Sequence, residues 1–578
     1  MPAARSDPAD GRRRLPCPGI SSKMGRRRAI LAGLCLGALC AIRVPAAAQA
    51  DREQRVAEGI RRRIETAGLP ARISSRHERV HARLALPAFY ERRGFLPAWV
   101  AEGGLNAGGR RLLAALRDAD REGLRPEDYH LSAIEALPPE NLPASPRARD
   151  MAAEADILMT DAFLVYASHL LSGRLNPQSL DAEWHVHGRE GDVERVLEDA
   201  LASGEVSAAL RGLLPRDPGY WKLREALAHY RSLGSRTKWT AIPSAPVLRP
   251  GARRAAVALL RRRLAVLGDI ERTGTAAPEL YDEELERAVR RFQARHGLDA
   301  DGVAGARTIA EINVSPARRA QQIVVNMERW RWMPQDFGDR HILVNVPDFS
   351  LRMQEDGREA LRMSVIIGRA YRRTPMFSDR MTYLVLNPSW NVPRSIAVAD
   401  KLPEIQRDPR YLKRQRMRVY ESRGGETVEV DPDSVGWASL NEEDFPYRLV
   451  QEPGPLNALG RIKFMLPNEF SVYLHDTPDR RLFAEGTRTF SSGCIRVERP
   501  LELAVRALED DPAWSRESIL AAIEAGEERT VRLPRPIPVH LLYWTAWAEG
   551  DGAVHFRRDV YERDEAVALA LLSTPPEP

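Results

Sequence analysis

His475 and Cys494 bracket a polar segment that runs from Asp476-Thr477-Pro478 to Phe490-Ser491-Ser492-Gly493, and Arg496 follows two residues after the cysteine. A thiolate is a strong nucleophile, but near neutral pH it forms only with a base or a cation beside it, and a histidine can act as either. Ser491-Ser492-Gly493 can bend sharply, because glycine tolerates backbone angles that other residues avoid. A thiol on such a bend is presented outward, with the Gly493–Cys494 backbone N–H groups placed to stabilise an oxyanion. Arg496 can bind a substrate carboxylate through two parallel bonds, or hold the turn. Taken singly, a cysteine is more often a small buried hydrophobe, and a histidine a surface or satisfied core residue. The combination is more specific than its parts. The sequence offers no His-Glu-x-x-His, no metal-ligand pair at helical spacing and no phosphate-binding glycine loop, and Asp301-Gly302 lacks the rest of a calcium loop. Thiol chemistry with no cofactor and no metal is the economical reading.

Several elements must position these residues. Ser471-Val472-Tyr473-Leu474 reads as a strand leading into His475, and Asp476 to Arg480 as a turn. From His341 the texture is β: His341–Val346, Leu351–Met353, Met363–Gly368 and Met381–Leu386, with Glu355-Asp356-Gly357 as a hairpin turn. Residues 395–447 interrupt the strands with charged, loop-rich sequence, and insertions of that length in compact enzymes are often lids. Beyond the cysteine, Leu501–Leu508 reads as a helix, and Val531–Leu533, Val539–Trp547 and Val554–Phe556 as closing strands.

Residues 51–240 are predominantly helical, with Met151–Leu171 the longest run. Asp161, Tyr166 and His169 are the candidates for chemistry there, and their setting reads as structural. A proline-rich linker at 241–250 leads to a compact helical unit at 246–314 containing Phe292-Gln293, His296-Gly297-Leu298, Asp301-Gly302-Val303, Gly305 and Thr308. Ser315–Arg331 is a connecting helix. Its Glu328-Arg329-Trp330-Arg331-Trp332 cluster suits packing against the next domain better than nucleic acid.

A length of 578 residues predicts three or four domains. The first fifty carry a basic run, Lys23 to Arg28, an apolar run, Ala29 to Ile42, and an Ala-x-Ala site before Asp51, the pattern of a secretory signal. These fifty hold nine Lys/Arg against two Asp, a surplus of seven charges on a chain whose net is +6, so the remainder sits near −1. That balance gives no argument for nucleic acid. Cys17, Cys35 and Cys40 leave with the signal, and the exported chain keeps only Cys494. A solitary thiol in an oxidising compartment cannot staple the fold, so it is a reactive group or an intermolecular linker. No stable membrane span remains after cleavage.

The string His475-Asp476-Thr477-Pro478 … Leu482-Phe483 … Phe490-Ser491-Ser492-Gly493-Cys494-Ile495-Arg496 resembles the L,D-transpeptidase (YkuD-type) catalytic domain, in the large multidomain branch of that family. Asn387-Pro388-Ser389-Trp390-Asn391-Val392-Pro393 adds to the resemblance, residues 246–314 resemble a peptidoglycan-binding domain, and 51–240 resemble the family's helical scaffold. The fold so implied is a multidomain α+β chain: signal at 1–50, helical scaffold at 51–240, small three-helix peptidoglycan-binding-type domain at 246–314, connecting helix at 315–338, mainly-β catalytic domain at 339–550 with a substrate lid at 395–447, and a C-terminal strand and tail at 551–578. The activity implied is acyl transfer in the periplasm or cell envelope. Cys494 attacks the third residue of a tetrapeptide stem, releases D-alanine and passes the acyl group to a second stem as a 3→3 cross-link. Donor and acceptor stems are the implied partners, with other cell-wall synthesis enzymes alongside, and carbapenems are expected to acylate the same cysteine. His475 and Cys494 carry the chemistry, Ser492 and Gly493 form the turn, and Arg496 contacts substrate. Hydrolysis by the same site, attachment of a protein amine, or a non-catalytic wall-binding scaffold are the alternatives. Sortases place their histidine and arginine farther from the cysteine, and papain-type or NlpC-type peptidases run Cys before His.

Overall fold

The computed structural model describes residues 46–66, 78–101, 104–136, 145–244, 246–270, 276–408, 410–550 and 552–573, with backbone alone at 46–52 and 66. The expected export signal up to residue 45 with its three cysteines, residues 137–144 and the tail at 574–578 lie outside these residues. The description below concerns the unit from Ala50 onward. Among the described residues no helix is long and apolar enough to cross a membrane.

Helices of eight residues or more are numbered here. The scaffold contributes α1 (Ala46–Thr66), α2 (Ala85–Arg92), α3 (Ala107–Arg117), α4 (Pro146–Ser172), α5 (Val193–Ser203) and α6 (Pro218–Arg236). Ser145 caps α4, its hydroxyl accepting from the Ala148 N–H at 3.2 Å, and a proline follows at the first helical position. Helix α4 is buried on nearly every side, and three carboxylates, Glu154, Asp156 and Asp161, are buried with it. Asp156 accepts from the backbone N–H groups of Ala98, Trp99 and Val100 and from the Tyr90 hydroxyl, at 2.7–3.0 Å. Asp161 does the same for His81 and Ala82 and also takes His130 Nε2 at 2.7 Å. His169 meets the Tyr129 hydroxyl at 3.0 Å. These groups tie loops to the helix, in keeping with the structural reading.

The three-helix module comprises α7 (Ala255–Val266), α8 (Glu283–Arg295) and α9 (Ala306–Asn313), and it has its own core around Leu260, Leu264, Leu285, Phe292 and Ile309. Gln293 explains much of the motif here. Its amide nitrogen reaches the Asp301 carboxylate at 2.7 Å, the Val303 carbonyl at 3.0 Å and Thr308 Oγ1 at 3.1 Å, while its oxygen accepts from the Gly302 N–H at 2.9 Å. Helix α10 (Pro316–Arg331), expected as a connector, is a buried strut. Arg331 pairs with Glu328 at 2.9 Å, Arg329 with Asp564 at 2.5 Å, and Trp330 stacks on Trp544 at 4.3 Å. This basic–aromatic cluster is sealed inside and presents no nucleic-acid surface.

The catalytic region is a nine-stranded mixed sheet that closes on itself. Its strands are β1 (Arg340–Asn345), β2 (Ser350–Glu355), β3 (Arg358–Gly368), β4 (Ser378–Leu386), β9 (Ile462–Met465), β10 (Leu474–His475), β11 (Thr489–Ser491), β12 (Ile495–Val497) and β13 (Arg529–Leu542). The order is β11-β3-β12-β10-β9-β4-β13-β1-β2, and β2 pairs back to β3. The predicted hairpin turn holds: Asp356 and Gly357 both take left-handed backbone, at φ 49° and 74°. Strand β13 joins what the sequence suggests as two strands, with a register irregularity between Arg532 and Ile537 where Pro534 and Pro536 sit. The insertion forms a separate four-stranded sheet, β5 (Trp390–Asn391), β8 (Tyr447–Gln451), β6 (Met417–Arg423) and β7 (Glu426–Val430), so its elements begin at Trp390 and end at Gln451. It has its own core of Leu402, Ile405, Trp437, Phe445 and Leu449. Helices α11 (Pro500–Ala507) and α12 (Arg516–Glu524) follow the cysteine. After β14 (Ala546–Ala548) and β15 (Val554–Phe556), the C-terminal segment, expected as strand and tail, forms α13 (Asp564–Leu572) and packs on α10.

Candidate active site

Cys494 lies in the turn between β11 and β12. Gly493 adopts φ 114°, a region that favours glycine. Its carbonyl accepts from Thr374 Oγ1 at 2.9 Å and its N–H donates to Ser491 Oγ at 3.2 Å, while that hydroxyl donates to the Cys494 carbonyl at 2.5 Å. The Gly493 N–H, expected as an oxyanion donor, is therefore already engaged. The Cys494 N–H has no hydrogen-bond partner among the described residues. Thr374 is itself clamped: it accepts from the Gly368 N–H at 3.0 Å and donates its own N–H to the Tyr561 hydroxyl, which donates to the Gly368 carbonyl at 2.7 Å. A Cβ at Gly368 would stand 2.1 Å from the Arg372 carbonyl, so this loop closes only over glycine. Ser492 faces the insertion. Its hydroxyl accepts from Arg372 Nη1 at 3.1 Å, and the same nitrogen pairs with Asp400 of the insertion at 2.5 Å.

The sheet aligns the rest. Strand β10 pairs in parallel with β12, His475 opposite Arg496, and antiparallel with β9, His475 opposite Lys463. Because side chains alternate along a strand, Lys463, His475 and Arg496 share one face, with Tyr473 and Cys494 two residues before His475 and Arg496. All but Lys463 of these five line one cleft of about 1300 Å³. The predicted strand at 471–474 shrinks to Leu474–His475. Ser471 takes φ 54°, and its carbonyl accepts from the Cys494 thiol at 3.8 Å.

His475 Nδ1 lies 2.6 Å from the Asp476 carbonyl. A carbonyl only accepts, so Nδ1 carries the proton and Nε2 is left as the basic nitrogen. Burial, with Arg496 and then Lys463 nearby, pushes the imidazole pKa down to about 3 against the favourable Asp476 carbonyl. Burial also pushes the Cys494 thiol up, with Tyr473, Lys463 and Arg496 acting in the opposite direction. The resting site thus holds a neutral thiol and a neutral imidazole. A neutral imidazole is compatible with the base, of the two roles the sequence leaves open to His475. The Asp476 side chain points away, accepting from the Arg461 N–H at 2.9 Å and from Arg480 at 2.8 Å.

Arg496 keeps its Nε buried with no hydrogen-bond partner, and its nearest carboxylate is Asp479 at 3.8 Å. That arrangement leaves guanidinium donors available at the cleft rather than tied into the turn. The opposite wall comes from the insertion, through Trp390, Lys401 and Met417, with Leu459 from the segment that follows it, and the scaffold adds Glu183. Glu183 is brought there by backbone pairing of the scaffold with the barrel: the His185 N–H donates to the Met376 carbonyl at 2.7 Å, and the Met376 N–H to the Glu183 carbonyl at 2.9 Å. Lys463, Tyr473, Arg372 and Glu183 were not singled out by the sequence. Register and tertiary approach bring them in, and neither is written in local spacing.

Residues 339–514 match the L,D-transpeptidase catalytic domain family. They form an L,D-transpeptidase catalytic domain. Residues 84–227 match the scaffold domain family and 253–312 the peptidoglycan binding domain family, so the transpeptidase domain sits in a chain with both accessory modules. A Haemophilus influenzae protein provisionally described as an L,D-transpeptidase is 35% identical over 253 residues, 44% of this chain and 50% of its own length. The chain spans about half the length of that curated relative. Solved L,D-transpeptidases from Xylanimonas cellulosilytica (15% identical, 52% of this chain and 99% of that one, TM-score 0.16) and Stackebrandtia nassauensis (13%, 51% and 94%, 0.19) are also similar, at TM-scores that carry no argument about geometry.

Proposed function

We propose that the chain is an exported L,D-transpeptidase that forms 3→3 peptidoglycan cross-links through a thioester on Cys494. The observation that carries this reading is that His475, fixed with Nε2 as its basic atom, and Cys494 line a single cleft. In the first half-reaction His475 Nε2 takes the thiol proton as Sγ attacks the carbonyl of the third stem residue. The developing oxyanion is met by the Cys494 N–H. The imidazolium gives its proton to the departing D-alanine amine, and the C–N bond breaks to leave the thioester. The side-chain amine of a second stem then attacks, His475 accepts its proton, the C–S bond breaks, and the thiolate is reprotonated. Because the pair rests neutral, proton transfer accompanies attack instead of preceding it. Arg496, with Nε unpartnered, is assigned to a substrate carboxylate. The insertion wall over the cleft supports water exclusion, which an amine acceptor needs to outcompete hydrolysis.

The test is purified protein lacking residues 1–50, incubated with disaccharide-tetrapeptide and read by mass spectrometry beside Cys494→Ala. Dimers lacking one D-alanine, absent in the variant, are expected. Tripeptide monomer alone would replace the transferase by a carboxypeptidase. No turnover together with no carbapenem adduct on Cys494 would leave a wall-binding scaffold.

A further inference from the structure

A second cavity, of about 390 Å³, lies at the seam between the three-helix module and the barrel. Its size falls in the range of small-ligand sites, roughly 300–1,000 Å³. The seam beside it is explained by docking. His296 stacks between Phe292 at 3.8 Å and Phe556 at 5.5 Å, and Arg557 donates to the Arg295 carbonyl at 2.9 Å. Gly297, at φ 65°, is required there because a Cβ would stand 2.5 Å from Arg557 Cδ. The His-Gly motif thus builds the joint, and the cavity next to it is left without a role.

Three of the four arginines that line that cavity have no ion-pair contact among the described residues. Of the carboxylates, Asp348 is held by Arg557 at 2.7 Å and Glu311 by Arg319 at 2.5 Å. Arg307, Arg488 and Arg558 remain, and none of them forms an ion pair among the described residues; Asp348, Glu498 and Asp299 act on Arg488 only from beyond ion-pair distance. Arg488 is the most telling. It is half-buried, Nη1 donates to the Glu485 carbonyl at 2.9 Å, and Nε is buried without any partner. Burial pushes its pKa down in spite of Asp348. A guanidinium withdrawn from water with no carboxylate in contact is costly, and a bound anion lowers that cost. Arg307 reaches in from α9, its Nη1 3.8 Å from where a Cβ on Gly486 would be. The module and the barrel therefore contribute cations to one space.

We propose that this seam cavity binds a carboxylate of a peptidoglycan peptide stem, between Arg307 of the module and Arg488 and Arg558 of the catalytic side. The identity of the polymer rests on the function proposed above; the anion site rests on the seam itself. Arg488 immediately precedes β11, the strand that ends at the nucleophile turn, so one short segment joins the two sites. A stem held at the seam keeps its glycan strand beside the cleft and raises the local concentration of the next stem.

The test uses full-length protein carrying Cys494→Ala, titrated with disaccharide-tetrapeptide by calorimetry. Two molecules bound per chain are expected, falling to one in Arg307→Ala/Arg558→Ala, two exposed positions whose loss leaves the barrel intact. Arg488→Gln is expected to weaken the second site at least tenfold, and so is amidation of the ligand's carboxylates. A single site unaffected by these changes would overturn the proposal. Displacement by inorganic phosphate as effective as by the muropeptide would overturn the carboxylate assignment. Turnover by the unmodified protein is measured in parallel. Turnover without a second site sinks only this inference, and a second site without turnover sinks only the enzymatic reading.

Discussion

His130 in the scaffold and His475 in the cleft are equally withdrawn from solvent, at 4% and 5% exposure, yet their surroundings drive them to opposite states. His130 sits between two carboxylates, Glu78 at 2.8 Å from Nδ1 and Asp161 at 2.7 Å from Nε2, and these raise its pKa to about 9 against the desolvation that alone would lower it. His475 has only a carbonyl on Nδ1 and cations for neighbours, and it falls to about 3. Burial lowers both, and in His475 it is the largest cause, with the cations adding to it. In His130 the two carboxylates overcome it. The scaffold uses a charged histidine as a rivet, and the cleft keeps a neutral one, which suits the base proposed above.

The sharpest way to break this contrast is to remove each ring. His475→Ala is expected to lower turnover by about 10³-fold or more, since nucleophile and base act as a unit. Its thermal midpoint should stay close to that of the unmodified protein, because no charge is left stranded. A large drop in midpoint would undo the assignment of His475 as a base that the fold does not need. His130→Ala is expected to do the reverse, leaving Asp161 buried without its partner. The expected loss is about 3–5 kcal/mol in denaturant unfolding with turnover per folded molecule unchanged.

Titration separates the two as well. His130, raised from 6.5 to about 9, contributes stability that is complete below pH 6.5 and is lost as pH rises through 9. His475, lowered to about 3, contributes stability that is present above pH 6.5 and is lost as pH falls toward 3. Unfolding free energy measured from pH 4 to 10 in the two single variants should lose one limb each. The acid limb of kcat/KM should likewise lie below pH 5. Iodoacetamide alkylation of Cys494 should keep rising beyond the ordinary thiol range, because burial holds the thiol up.

The smallest expected effect is the most diagnostic. A carboxylate that directly holds a catalytic imidazole costs about 10⁴-fold when amidated. In this cleft the Asp476 carbonyl holds the ring and its side chain is turned to Arg461 and Arg480. Asp476→Asn should therefore change kcat by less than about tenfold, and a loss near 10⁴-fold would show that the side chain takes part.

Much of this was legible in sequence, for identifiable reasons. The cysteine turn is announced by Ser492-Gly493-Cys494 because the bend needs glycine, and the hairpin at Asp356-Gly357 because the turn needs two left-handed residues. The helical scaffold, the small module and the β texture follow from periodicity. What could not be read depends on register and on distant chain. Nothing near Lys463 says that it stands opposite His475, and nothing near Glu183 says that it reaches the cleft. The strand expected at Ser471 fails for a local reason: left-handed backbone at a serine has no strong sequence signature. The partner that orients His475 was illegible because it is a main-chain atom, which every residue type supplies. Helix α10 was legible as a connector whose Glu328–Trp332 cluster packs against the next domain, but not the ion pairs of Arg331 with Glu328 and of Arg329 with the distant Asp564 that let it be buried.

Strand β13 lies between β4 and β1, pairing with both, although both are made long before it. Until the chain beyond residue 542 is free to fold, β1 and β4 are open edges, each a template for the wrong partner. Closure then links segments about two hundred residues apart, the kind of long-range pairing that slows folding and exposes intermediates to aggregation. The scaffold, built of local helical contacts, can form first. The barrel, and with it the alignment of His475 beside the Cys494 turn, is among the last parts of the molecule to come into being.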